Sequence, residues 1–354
     1  MDINPRDVVS RHQVYLERLK TGYVNNFQST ARKIDKAIRE VLTAIDEDGL
    51  DDLTAKELRA LLGKLREAQL AIYQERNDEF TTQLEELAGN EADFEAELMT
   101  KMGVATVAGK TIQKIGAAEA YSAALRNPIQ ATGDMLEPFI KDLSAREVKR
   151  VEQEVMKSIA QGRTISQTVT AIRGTKKAKY QDGVLGRNWS DARTVVRTAT
   201  QHVSSAGRKA MWEANSDVIQ KYQWVSTLDG RTSQTCRSLD GQVFEIGKGP
   251  MPPIHPNCRS TTVPYFEPSE WDKGATRSSA TGPVDQSTTY YEWLKQQPAA
   301  FQDDAIGPTR GKLLRNGGLT SEEFSDLQLD KNFQPLTLSE MREKNPRAFE
   351  QANI

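Results

Sequence analysis

The sequence predicts a mainly α-helical protein with a small α+β module toward the C-terminus: helical N-terminal arms, a compact turn-rich knuckle, and an extended C-terminal tail. Three observations predict this. Apolar residues recur at three- and four-residue steps through the N-terminal half. Both cysteines and one of the three histidines crowd into one stretch punctuated by Gly and Pro. The hydrophobic fraction of 37%, even allowing for the Gly that the usual figure includes, lies below the ~45–50% of globular chains, so much of the chain is expected to be solvated helix or extended segment.

Residues 1–116 read as a helical hairpin or arm region. Ile34, Ile38, Val41 and Ile45 form one apolar stripe, broken by Asp46-Glu47-Asp48-Gly49. Thr54 and Glu57 then make a capping-box pattern ahead of Leu58, Leu61, Leu62 and Leu65. Such stripes are core, or a seam with a partner helix. The Gly-punctuated run Gly103 to Gly109 fits a strand, a loop or a loosely packed helix start.

Residues 117–217 read as a helical domain. A helix from Ala117 breaks at Asn127-Pro128 and restarts at Ser144 with Glu147 as capping partner, turning Val148, Val151, Val155 and Ile159 inward. Between Arg173 and Arg187 lies a basic, Gly-rich loop with Lys176, Lys177 and Lys179 around Tyr180. It is the best local candidate for contact with nucleic-acid phosphates, although a solvated surface loop fits the same residues. A last helix, Ser190 to about Asn215, buries Ala192, Val195, Val196, Ala199 and Val203 and leaves Arg193, Arg197 and Arg208 on its surface.

Residues 218–268 change period. Val218, Tyr222, Trp224 and Val225 are strand-like, Asp229-Gly230 is a hairpin-type turn, and Asp240-Gly241 precedes a second β-rich run, Val243 to Ile246. Pro250, Pro252 and Pro253 then force an extended approach to His255. The order is Asp229-x6-Cys236-x18-His255-x2-Cys258. A His and a Cys three positions apart on a tight turn reach one ion, with Cys236 as a third soft ligand and Asp229 as a hard fourth; zinc suits that set. In a turn-rich unit an ion would stand in for missing apolar core. A Cys236–Cys258 disulfide, two buried reduced cysteines and a Cys-His nucleophilic pair fit the same residues. His12 and His202 fall in helical patterns as ordinary surface or packing residues. Residues 269–288 read as a Ser/Thr/Gly-rich linker, and 289–354 as an extended tail with short helices, offering Trp293, Phe301 and Phe324 as anchors into neighbouring subunits.

Charge and cysteine usage narrow the function classes. With 47 Lys plus Arg against 49 Asp plus Glu, nothing global favours DNA or an anionic membrane, and any nucleic-acid contact must be local. Two cysteines exclude a disulfide-stapled secreted scaffold. The start Met1 to Asp7 lacks a signal-peptide pattern, and no apolar run approaches a membrane span, so synthesis in a host cytoplasm and no membrane partner are expected.

The run Trp224 to Cys236, including Arg231 and Thr232, then Leu239-Asp240-Gly241, then Pro253-Ile254-His255-Pro256-Asn257-Cys258-Arg259-Ser260, resembles the phage Mu F-like minor head proteins. The likeness extends upstream through Arg197-Thr198-Ala199 and downstream through Tyr291-Glu292-Trp293-Leu294 and Gly307-Pro308-Thr309-Arg310. It implies a head morphogenesis protein of the virion, associated with the portal or major capsid protein at the portal vertex and acting in DNA packaging or ejection. In some members of that family a further Cys stands at the position of Ser233 and completes a Cys-x2-Cys plus His-x2-Cys zinc site. Here that ligand is absent, which leaves Asp229 or water to close the sphere. The alternative is a metal-dependent or Cys/His hydrolase using Cys236, His255 and Asp229. Against it, the sequence has no His-Glu-x-x-His, Gly-x-Ser-x-Gly or phosphate-loop motif.

Overall fold

A computed structural model describes residues 5–45, 50, 53–103, 110–265 and 276–354. The acidic break at 46–49, residues 104–109 of the Gly-punctuated run and 269–275 of the expected linker lie outside them. Helix α1 (Pro5–Thr43) and helix α2 (Ala55–Lys101), of 39 and 47 residues, form the expected hairpin. Their contacts run in opposite directions: His12 meets Glu91, Tyr23 the Gln83 carbonyl, and Lys33 Glu75. The Thr54/Glu57 capping box starts α2 as expected.

Helices α3 (Ala117–Arg126), α4 (Leu136–Ala160), α5 (Ile165–Arg173) and α6 (Val184–Ala214) follow, with the predicted break after Arg126. The expected boundary at 116/117 has no counterpart in packing. Val9, Leu16 and Phe27 of α1 and Phe80, Leu84 and Leu87 of α2 share one core with Val196, Ala199 and Val203 of α6. A Cβ on Gly207 would meet the Ala88 carbonyl oxygen at 3.1 Å, so glycine lets α6 lie close against α2.

Two expectations are corrected here. Ser144 and Glu147 do not start a helix; they lie within α4, where Arg76 donates to Glu147 at 2.9 Å and to Ser144 at 2.9 Å. Local spacing matched a cap, but a buried guanidinium from α2 uses the same two oxygens. Arg208 is not on the surface. It is fully buried, 3.3 Å from the equally buried Glu91, because α2 and the knuckle cover that face of α6.

The knuckle is a three-stranded antiparallel sheet, ordered β2-β1-β3, of β1 (Lys221–Val225), β2 (Val243–Glu245) and β3 (Thr261–Tyr265). Asp229-Gly230 turns no hairpin, because a short helix α7 (Gln234–Leu239) intervenes before β2 pairs with β1. The Asp229 side chain accepts from the Arg231 amide, and Ser233 caps α7. Asp240-Gly241 does make the turn into β2, with Gly241 in the left-handed region at φ 86.

Part of the expected linker is a hairpin, β4 (Thr276–Ser279) with β5 (Gly282–Asp285). The tail, expected to be extended, is instead a packed unit of short helices: α8 (Tyr290–Lys295), α9 (Ala299–Ile306), α10 (Pro308–Asn316), α11 (Ser321–Asp326), α12 (Leu338–Lys344) and α13 (Pro346–Gln351). Capping boxes at Thr289/Glu292, Thr320/Glu323 and Thr337/Glu340 start three of them. Trp293 and Phe324 are buried in this chain's own core beside Tyr290, Tyr291 and Phe349, with Phe301 packed against them. A few large aromatic side chains close a small core that low average hydrophobicity did not suggest.

Candidate metal centre

Three residues of α6 hold the loop that carries Cys258. Thr198 accepts from the Asn257 amide at 3.1 Å, Gln201 donates to the Ser260 carbonyl at 3.1 Å, and Arg208 donates to Thr261 and to the Thr262 carbonyl. Helix α1 fixes Gln201 from the other side, where the buried Lys20 ammonium donates to its Oε1 at 2.5 Å. The bundle therefore presents the His255–Cys258 turn at one place against α7.

Cys236, His255 and Cys258 converge there, with their ligating atoms all within 4.8 Å of one another. The Cys236 Sγ lies 3.7 Å from the Cys258 Sγ and 3.1 Å from the His255 Nε2. Both cysteines are free, and each is only 1% exposed. Trp224, Leu239 and Leu329 pack around the sulfurs. The His255 Nδ1 faces the Pro256 carbonyl at 2.9 Å, so an Nδ1–H donates there and Nε2 is left to face the sulfurs.

The electrostatics are those of a charge-sharing cluster. Burial opposes charge on Cys258, yet hydrogen bonds from Cys236 and His255 hold its pKa well below the ordinary thiol value. Burial, joined by the neighbouring Cys258, pushes the Cys236 thiol well up. Burial alone would lower the His255 pKa; Cys258 overrides it and raises it. The thiolate is the form that binds a metal, and its partner proton is what an ion displaces.

Asp229, expected as the fourth ligand, is not in the cluster. Its two oxygens accept from Arg259 at 2.7 and 2.8 Å, and this ion pair, working against burial, keeps the carboxyl below its usual range. The same carboxylate also accepts from the Arg231 amide and the Thr232 hydroxyl, so its oxygens are already occupied. An oxygen donor beside the cluster is Ser233, whose Oγ sits 2.8 Å from the His255 Nε2. Sequence reading treated Ser233 only as an absent cysteine. Its place three residues before Cys236, where its hydroxyl accepts from the Cys236 amide, was the available signal.

The remaining motif residues lock the knuckle to its surroundings. Trp224 is fully buried and donates to Ser226, and Ser226 in turn donates to the Cys236 carbonyl. Asp240 accepts from the Ser226 amide at 2.7 Å and from both terminal nitrogens of Arg277 on β4, at 3.0 and 3.1 Å. Arg277 carried no sequence signal. Thr232 donates to the Thr227 carbonyl, and Arg231 is exposed beside Asp229.

Residues 149–263 match the family described as Phage Mu protein F like protein. This segment is Mu F-like. The match starts inside α4 and ends in β3, so it takes in the basic loop, α6 and the whole cysteine and histidine cluster, and stops short of Tyr291–Leu294. A Haemophilus influenzae protein described as uncharacterized is 22% identical over 173 residues, 48% of this chain and 36% of the relative, so the chain spans about a third of that relative's length. No solved structure matches. Among the described residues no helix is long and apolar enough to cross a membrane.

The candidate phosphate-contacting residues of the Mu F-like segment are on other elements than this centre. Arg173 ends α5, Lys176, Lys177 and Lys179 are exposed in the loop that follows, and Arg187 is exposed on the first turns of α6.

Proposed function

We propose that this chain is a minor head protein of a tailed phage, carried in the virion and bound to the portal or major capsid protein near the portal vertex, where it serves DNA packaging or ejection. The observation that carries the reading is the Mu F-like segment, whose motif residues tie three structural units together. Asp240–Arg277 ties the hairpin to the knuckle, Thr198, Gln201 and Arg208 of α6 hold residues 257–262 to the helical bundle, and the Tyr290 hydroxyl of α8 donates to the Asp229 carbonyl. Asp229–Arg259 and the cysteine–histidine cluster brace the knuckle from within. Such a joint suits a docking module held to one shape. The purified chain is expected to co-sediment with the portal protein of its own phage. Failure to do so, together with normal heads assembled in its absence, would overturn the reading.

The centre is proposed to hold a structural zinc ion on Cys236, His255 and Cys258, with the Ser233 hydroxyl or water as fourth donor. Two sulfurs bound tetrahedrally at ~2.3 Å from zinc stand ~3.8 Å apart, and the observed separation is 3.7 Å. When bound, the ion would cross-link α7 to the 255–258 turn. Elemental analysis of chain purified with zinc is expected to give about one ion per molecule, the stoichiometry of a single closed site, and Cys258→Ser to lose it. Ser233→Cys is expected to tighten zinc in chelator competition by adding a thiolate. Zinc retained in full by Cys258→Ser would remove the proposal.

The thiolate character of Cys258 beside His255 is the one feature favouring a hydrolase. Burial of both sulfurs weighs against it, since a nucleophile must meet its substrate. Turnover with added zinc or magnesium that disappears in Cys236→Ala would decide for the enzyme.

A further inference from the structure

The basic loop closes one side of a groove whose other wall is α1. Arg32 and Asp35 come from α1, Arg173 from the end of α5, Lys179 and Tyr180 from the loop, and Trp189 from α6, around a cavity of about 350 Å³. Among the described residues neither Arg32 nor Lys179, which line it, has an ion-pair partner, and neither do Lys176, Lys177 and Arg187, which are exposed on the adjoining stretch of the loop and the start of α6. The carboxylates nearby are already engaged. Asp35 meets Arg39 at 3.0 Å and Arg173 at 3.7 Å, and Asp182 accepts from the Thr175 amide and hydroxyl. On a chain of net charge -2 this is a local positive excess.

The groove also carries aromatic surface where a water-facing loop has no need of it. Tyr180 is 39% exposed, with the Arg173 guanidinium 4.6 Å over its ring. Lys179 and Tyr180 are consecutive left-handed residues, at φ 50 and 63, a conformation that side chains with a Cβ adopt at a cost. Trp189, from α6, also lines the groove and is half-buried. Cations interleaved with rings, and a guanidinium already stacked, are the chemistry by which proteins hold a single nucleic-acid strand: phosphates on the cations, bases on the π-faces. A duplex keeps its bases paired inside and offers none to the rings.

We propose that this groove binds a single nucleic-acid strand, with Arg32, Lys176, Lys177 and Lys179 on its phosphates and an unpaired base against the Arg173–Tyr180 pair and Trp189. The groove has this chemistry whether or not the chain docks on a portal. The test uses the full chain and a fluorescein-labelled thymidine oligonucleotide of about 12 nucleotides, within the span one binding module covers. Fluorescence anisotropy is recorded across a salt series. The triple variant Lys176→Ala, Lys177→Ala, Lys179→Ala is expected to flatten the log Kd against log salt slope by about 2, since each phosphate contact on a single strand contributes ~0.7. Tyr180→Ala is expected to weaken binding roughly 10-fold at constant salt slope, the loss of one stacked base. A control triple on other elements, Lys141→Ala, Lys248→Ala, Lys331→Ala, leaves both readouts unchanged. All substituted side chains are exposed, and circular dichroism confirms folding. No binding by the wild-type chain at low salt, an unchanged slope in the loop triple, or equal affinity for the duplex with no effect of Tyr180→Ala would each overturn the proposal.

Discussion

Replacing Asp240 with Ala is expected to cost about 3–5 kcal/mol of folding stability, the usual penalty for leaving one partner of a buried ion pair without the other. Asp240 and Arg277 side chains are 0% and 4% exposed, so water cannot replace the lost carboxylate. Arg277 would keep the Ser226 and Thr288 carbonyls, which accept its protons but bring no compensating charge. The Ser226 amide would lose its acceptor as well, in the strand connection that leads to Cys236. Urea unfolding of the purified variant measures the loss. Limited proteolysis should also cut the β4–β5 hairpin earlier, because Asp240 is one of its ties to the knuckle, beside the Ala280 amide on the Leu228 carbonyl and Arg277 on the Ser226 carbonyl. Adding Arg277→Met should recover part of the stability by removing the stranded charge. A loss below ~1 kcal/mol, the worth of an exposed pair, would show that the pair does not hold the hairpin.

Raising the pH from about 5 to 8 is expected to destabilise the bundle by about 2–3 kcal/mol through Glu95 alone, since each pKa unit is worth ~1.4 kcal/mol. Glu95 is fully buried on α2, and burial pushes its pKa to about 7, with Arg208 and the Trp212 indole only partly opposing it. Its folded pKa lies above the unfolded value of 4.5. Between those two pH values the folded state therefore holds a proton that the unfolded state has released, and stability falls as pH rises through the window. The Glu95 Oε2 has no hydrogen-bond partner among the described atoms, so no donor there favours the charged form. Glu95→Gln keeps an acceptor for the Trp212 indole, which now donates at 2.6 Å, and removes the titration. Unfolding curves at a series of pH values should diverge between the two proteins, flatter for Glu95→Gln. Parallel curves would assign the proton elsewhere.

Local signals in the sequence were sufficient for much of this protein. Helical periodicity located α1, α2 and α6, Pro128 ended α3, Thr54 and Glu57 started α2, and Asp240-Gly241 turned into β2, because each depends on residues within one or two turns of one another. The Cys236, His255 and Cys258 grouping was legible for a related reason: few titratable soft ligands exist in the chain, and all three fall in one turn-rich stretch. The low hydrophobic fraction, by contrast, concealed the C-terminal core. Tyr290, Trp293, Phe324 and Phe349 are few, but each brings a large apolar surface to one small unit.

What only the tertiary structure decided is which charges meet. Asp229 had the right spacing for a ligand and Arg208 the right helical position for solvent, yet one is taken by Arg259 and the other is buried against Glu91. Asp240 shows the same thing from the other side, since its partner Arg277 lies on a hairpin that no local pattern pairs with it. A side chain's apolar character follows it wherever the chain goes, so spacing along a helix or strand predicts burial. A charge is stable only beside its counter-charge, and that partner is set by how distant segments pack.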